Sequence, residues 1–336
     1  MPSLWDSFAD LRVQIDDYAV QRRELEVSST FTRVTSTVVL HGGGETGSGE
    51  DVTYTTGDHE DFPAHEMLAG TWSLHEFSAR LDELNLWQSP PQMEASADYR
   101  RWAFESAALD LALRQAGRSF AEQAGRPYRP VRFVASTRAD VAPYRELDPG
   151  LEFKLDVEET WDAEKMAMLA ATDRVRVLDF KAYYRGTSVD LAPDAELYRS
   201  VARAFPEAVL EDPSLDGDCG EALQDAVDRI SFDAPIHAWS DVGKLPISPR
   251  WLNIKPSRFG TLRRLLECIE ECESAGITMY GGGQFELGPG RVQIQRLASV
   301  FYADGPNDVA PSVYNEGPPT PGMPRSPLPP PDGEGF

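Results

Sequence analysis

Beyond Pro130 the sequence repeats one small pattern seven times: a short run of strand-forming residues, then a stretch with helical spacing. The runs are VRFVAST, LEFKLDV, VRVLDFKA, AVLEDPS, ISFDAPI, WLNIKPS and ITMYGGGQ. Stretches such as DAEKMAMLAAT, DAELYRSVARAF, CGEALQDAV and FGTLRRLLECIEECESAG lie between them. Strands separated by helical crossovers run parallel, and helices must then cover the sheet. The expected class is α/β, a modified (β/α)7–8 TIM-like barrel rather than an open sheet. An eighth strand is indistinct and falls near NDVAPSVYN.

The chain in front of this repeat has another rhythm. LRVQIDDYAV and FTRVTSTVVLHG alternate apolar with polar residues, and HGGGETGSGED reads as a glycine-rich connection between strands. Its spacing is not that of a phosphate-binding loop, and no strong helix opens directly after it. From His65 to Gly125 the pattern is helical, with Gly117 as a break. The expected division is an N-terminal α+β capping domain over 1–125 and the barrel over 126–310. The segment 311–336 holds nine of the 26 prolines, and is expected to pack back on the cap or to lack order.

A length of 336 residues with 41% hydrophobic content supports such a core. The net charge of −23 repels nucleic acid and anionic membrane, so neither is an expected partner. An acidic protein still binds a carboxylate where a metal or lysines reverse the local field. Three cysteines argue against a disulfide framework, and Cys268 and Cys272 read as packing. No apolar run of about 18 residues occurs, and the N-terminus lacks a basic stretch followed by an apolar one. A cytoplasmic protein is expected, with a homo-oligomer left open.

In a barrel, side chains at the carboxyl ends of strands face a common mouth. Those positions hold Lys154, Asp179, Glu211, Asp233 and Lys255 in order. Asp179 to Glu211 spans 32 positions, and Glu211 to Asp233 and Asp233 to Lys255 span 22 each, about one strand–helix repeat apiece. Three carboxylates brought together raise one another's pKa unless a cation sits between them. Hard oxygen ligands on a rigid scaffold suit Mg²⁺. Such an ion would hold a small carboxylate substrate and stabilise the enediolate formed when its α-proton leaves. Lysines on either side would move the proton, their pKa lowered by the ion and by each other. The structural alternative is that each carboxylate caps its own helix.

This pattern resembles the enolase superfamily, specifically its muconate-lactonizing branch, which includes o-succinylbenzoate synthases, dipeptide epimerases and N-acylamino acid racemases. The resemblance rests on LNIKPSRFG at the sixth strand, ETGSGED in the cap, ESAALDLALRQAGRSFAEQAG between cap and barrel, and GQFELGPGRVQIQRLAS at the seventh strand. It implies Asp179, Glu211 and Asp233 as Mg²⁺ ligands, and Lys154 and Lys255 as the acid/base pair. It also implies Glu286 beside the substrate; Lys181, Glu152, Asp156 and Ser257 are further candidate substrate-binding residues.

The sequence departs from that family in three places. Where Lys-x-Lys is usual, EFKLD has Lys154 between Glu152 and Asp156 on one strand face. Lys181 stands where asparagine is common, so it contacts substrate, or competes with the cation for Asp179, or pairs with Glu152 or Asp156. Asp233 precedes Ala-Pro-Ile rather than an acid and serine, which makes Asp241 its rival. His237 is a loop histidine, and His41, His59, His65 and His75 lie in the cap without ligand spacing.

The expected function is proton abstraction α to a carboxylate, giving racemisation or epimerisation, cycloisomerisation or β-elimination. An o-succinylbenzoate synthase-like dehydratase, needing one base only, is one alternative. A metal-free Schiff-base enzyme using Lys255 or Lys181 is another. The third is a non-catalytic barrel scaffold with an altered site.

Overall fold

The computed structural model describes residues 3–60, 62–63, 67–186 and 189–336; His65, at the head of the helical region, lies outside them. In the cap, β1 (Arg12–Ile15) pairs antiparallel with β5 (Gly70–Ser73). Strands β2 (Asp17–Ser28), β3 (Phe31–Gly42) and β4 (Glu45–Asp51) form an antiparallel sheet in sequence order. The β-branched run in β3 suits a strand, and it is buried from Arg33 to Leu40, polar Thr35, Ser36 and Thr37 included.

The glycine-rich stretch ETGSGED is itself β4, not the connection its composition suggests. Its glycines serve close approach instead. A Cβ on Gly49 would collide with Ala103 O, and one on Gly47 with Leu111 N and Ala107 O, all on the helix Ser96–Gln115. The strand therefore lies directly on that helix backbone. Gly117 takes φ +62 just past the helix end, and a capping box of Ser119 and Glu122 starts the next helix, Phe120–Ala124.

All seven barrel strands form: β6 (Val134–Thr137), β7 (Glu152–Asp156), β8 (Val175–Asp179), β9 (Val209–Glu211), β10 (Ile230–Phe232), β11 (Trp251–Ile254) and β12 (Thr278–Gly281). They are parallel and neighbour one another in sequence order. Asp156, Asp179 and Glu211 stand in register across β7, β8 and β9. Helices such as Leu262–Ala275 return the chain, this one capped by the Thr261 side chain and ended by Gly276 at φ +68.

The eighth stave is a single polar residue. Asn307 bridges to Phe133, its Oδ1 accepts from Gly281 N at 2.6 Å, and its Nδ2 donates to Arg132 O at 2.8 Å. One amide thus joins β12 to the segment before β6, where the sequence has no second strand-length run. Beyond it, Leu328 and Val131 exchange backbone hydrogen bonds, and Phe336 buries its ring 4.8 Å from that of Phe120. Cys268 and Cys272 are free and buried. Among the described residues no helix is long and apolar enough to cross a membrane.

Candidate active site

Period-two geometry and the barrel register bring residues from five strands to one mouth. Lys154 on β7 points inward with a side chain 2% exposed. Its Nζ lies 2.5 Å from Glu211 Oε1, 3.3 Å from Asp179 Oδ2 and 3.7 Å from Asp308 Oδ2. Glu211 Oε2 accepts from Tyr280 OH at 2.5 Å and from Asn253 Nδ2 at 3.1 Å. Asp179 Oδ1 accepts from Lys181 N at 3.1 Å, and its Oδ2 also takes the Lys181 ammonium. Lys181 reaches back this way because its backbone is left-handed, at φ +54. Its Nζ is 3.4 Å from Asp156 Oδ1, so it pairs with Asp156 as well as meeting Asp179.

Asp233 faces a different set. Its Oδ2 receives Lys255 Nζ at 2.8 Å, Tyr184 OH at 3.2 Å and Arg258 Nη2 at 3.3 Å. Among the described residues its Oδ1 has no hydrogen-bond partner. The neighbouring Asp212, at φ +49, accepts from Asp233 N and Ala234 N at 2.8 and 2.9 Å and fixes the chain past β10. Gly282 packs directly against Lys255 and Asn253: a Cβ there would lie 2.9 Å from Lys255 Cε and 2.6 Å from Asn253 Oδ1.

Burial opposes charge on Asp179, but the ammoniums of Lys181 and Lys154 outweigh it and hold its carboxyl well below the usual range. Burial opposes charge on Asp233 too, and Arg258 and Lys255 hold it low. Burial pushes Glu211 up to about 7 against the pull of Lys154, with Asp179 and Asp233 adding to the rise. At the lysines, burial favours the neutral amine; Glu211 and Asp179 around Lys154, and Asp233 beside Lys255, nevertheless push both above an ordinary lysine. Both rest as cations. The lowering expected from a metal and a second lysine is reversed, because the group facing each amine is a carboxylate.

Mg²⁺ does not fit the donors so arranged. Every oxygen of Asp179 and Glu211 already accepts from the chain. Among the described residues no three acidic, histidine or cysteine side chains group as a cation site.

The other expected residues fall into two groups. Asp156 is at the mouth, bound to Arg138 at 2.7 Å, and helps line a cleft of about 230 Å³ with Arg138, Glu158, Trp161 and Lys165. Ser257 is buried in the turn Pro256–Phe259 that follows Lys255. Glu286 is buried too, 3.2 Å from Arg291 Nη2, with Oε1 accepting from Gln284 N. Glu152 is not brought to the mouth. It lies at the other end of β7, gripped by Arg132 at 2.6 and 2.9 Å and Arg176 at 2.6 Å. Asp241 accepts from His237 N and Ala238 N and pairs with Lys244, a turn-capping role away from the cluster. His237 Nδ1 is 3.1 Å from Arg258 O, a backbone contact.

Two cap residues close the mouth. Arg33 donates to Val52 O and Thr53 O of the cap and to Gln284 O and Phe285 O of the loop after β12. Glu50 accepts from Leu287, Gly288 and Gly290 N–H groups of the same loop.

Sequence reasoning passes over Asn253, Tyr280, Arg258, Tyr184, Asp212 and Asp308. For two of them a signal exists: Asn253 sits two before Lys255 on the same strand face, and Arg258 one helical turn after it. Asp308 carries no such signal, since the residues around it form no strand.

The fold has counterparts among known proteins. Two family models match the chain: the C-terminal domain of DUF8230, a domain of unknown function, over residues 127–316, and its N-terminal domain over residues 6–123. No curated protein matches. Similar solved structures include an enolase-superfamily member from Enterococcus faecalis at 20% identity and TM-score 0.64, covering 90% of this chain and 87% of that one. Muconate cycloisomerase from Pseudomonas fluorescens is 17% identical at TM-score 0.64, covering 91% and 88%. Muconate lactonizing enzyme from Pseudomonas putida is 18% identical at TM-score 0.66, covering 90% and 88%. The fold is that of the enolase superfamily.

Proposed function

We propose, for a chain that belongs to the DUF8230 family and is folded like the enolase superfamily, that the barrel mouth binds a small carboxylic acid. There it removes the proton from the carbon next to the carboxylate. The observation that carries this reading is the placement of Lys255 across the mouth from Lys154 and Lys181, with acids of three consecutive strands between them. Arg138 lines the cleft and Lys181 reaches Asp156 of its wall, and both suit a substrate carboxylate. The buried Lys154 ammonium and the part-buried Lys181 ammonium favour negative charge that develops on the substrate oxygens. Lys255 is the proton carrier: it rests as an ammonium 2.8 Å from Asp233 Oδ2, which Arg258 also meets, and it takes the α-proton once its own proton has passed to that carboxylate.

Of the two lysines expected to work as a pair, Lys255 faces one carboxylate among the described residues, Asp233. Lys154 Nζ is hemmed in by three carboxylates. One-base chemistry follows, cycloisomerisation or β-elimination such as an o-succinylbenzoate synthase-type dehydration, in preference to two-base racemisation. Exchange of the α-proton in D₂O tests this on N-acyl amino acids, dipeptides and acid sugars, with and without Mg²⁺. Exchange with retained optical activity is expected, and Lys255→Ala removes it. Racemisation during exchange, or full turnover by Lys255→Ala, would overturn the assignment.

One observation favours a second reading, a barrel that binds without catalysis. Each acid of the mouth already has a cation, and Arg33 and Glu50 hold the cap down. A protein that binds carboxylates yet exchanges none of them would decide for it.

A further inference from the structure

We infer that two lysine ammonium groups stand where a divalent ion would sit in this mouth, so that the site carries its own positive charge. Lys154 Nζ bridges Asp179 and Glu211 at 3.3 and 2.5 Å, with side chains 2% and 0% exposed. The Lys181 ammonium takes Asp179 Oδ2 from the outer side and reaches Asp156 at 3.4 Å. Together they bring the same double positive charge as one divalent cation, delivered by covalent tether. An ion entering here would have to expel both from carboxylates they already satisfy.

Three further features support the inference. Glu211 Oε2 accepts from Tyr280 and Asn253 and its Oε1 from Lys154, so both oxygens are already taken. Asp233 lies with Lys255 and Arg258 rather than with the other two acids. The left-handed backbone at Lys181 is unfavourable for a residue with a Cβ, and it is what aims this side chain back at Asp179.

The inference concerns the occupant of the site and needs none of the proposed chemistry. A protein that binds no ion can still exchange a proton, and one that exchanges none can still exclude the ion. The test is binding of Mn²⁺ alone, followed by its electron paramagnetic resonance signal and by thermal unfolding. The wild-type chain is expected to leave the free Mn²⁺ signal unchanged, and to unfold at one temperature in Mn²⁺ and in chelator. Lys154→Met/Lys181→Asn, which vacates the place and leaves Asp179 and Glu211, is expected to gain Mn²⁺ binding by tenfold or more and to unfold at a higher temperature in Mn²⁺. Should the double variant fail to fold, Lys181→Asn alone decides on the same two readouts. Stoichiometric Mn²⁺ binding by the wild type that Asp179→Asn abolishes would overturn the inference. A folded vacated variant that still ignores Mn²⁺ would overturn it too.

Discussion

Lys154 and Glu211 stand 57 positions apart in the chain and 2.5 Å apart in space, both buried. The pair joins β7 to β9 past the intervening β8, whose Asp179 shares the same ammonium. Removing one partner leaves the other as a buried charge without its counterion. Lys154→Met is expected to cost about 3–5 kcal/mol by urea denaturation. Lys154→Met/Glu211→Gln should recover more than half of that, because the glutamine stays an acceptor for Tyr280 while the stranded charge is gone. Additive losses would show that the pair is not the source of the stability.

Arg33 donates to four carbonyl oxygens, two in the cap and two in the loop after β12. Arg33→Met strands these acceptors and is expected to destabilise by about 2–4 kcal/mol. Hydrogen exchange of residues 284–290 should quicken by more than that of the barrel strands. An even change across the chain would mean that the arginine is not a local clasp.

Gly49 and Gly57 make a matched pair of probes. A Cβ at Gly49 collides with Ala103 O of the long helix, whereas one at Gly57 meets nothing within 4 Å. Gly49→Ala should cost more than about 2 kcal/mol, since strand or helix must move, and Gly57→Ala should be neutral or slightly stabilising. Calorimetric unfolding of both measures the difference.

His59 in the cap is buried, with Nδ1 at Ser36 Oγ and Nε2 at Thr53 O. Burial holds its pKa below the ordinary histidine value, with the nearby Asp51 opposing. The unfolded chain therefore takes the proton first as pH falls, and stability drops between about 6.5 and the lower folded value. Above about 6.5 neither state is charged, and the contribution is complete. The stability gap between wild type and His59→Gln should narrow from pH 7.5 to pH 5.5 in urea titrations. A constant gap would mean that the imidazole titrates alike in both states.

Much of this protein is legible in its sequence because the signals are local. Each barrel strand is a short run of apolar residues set off by a helical stretch, and the period of that alternation defines a parallel barrel before any contact is known. Strand ends are also local features, so Lys154, Asp179, Glu211, Asp233 and Lys255 can be picked out by counting. What each meets across the mouth is not local. Whether an acid faces a metal, a lysine or a tyrosine depends on register, on side-chain length and on one backbone angle at Lys181. The same composition that suggests a chelating triad thus resolves into ion pairs, since ammonium groups on the same face are long enough to fill the space first. Glycine in ETGSGED shows the limit from the other side. In sequence it reads as a turn, and only the helix packed against it explains why a strand needs residues without side chains there.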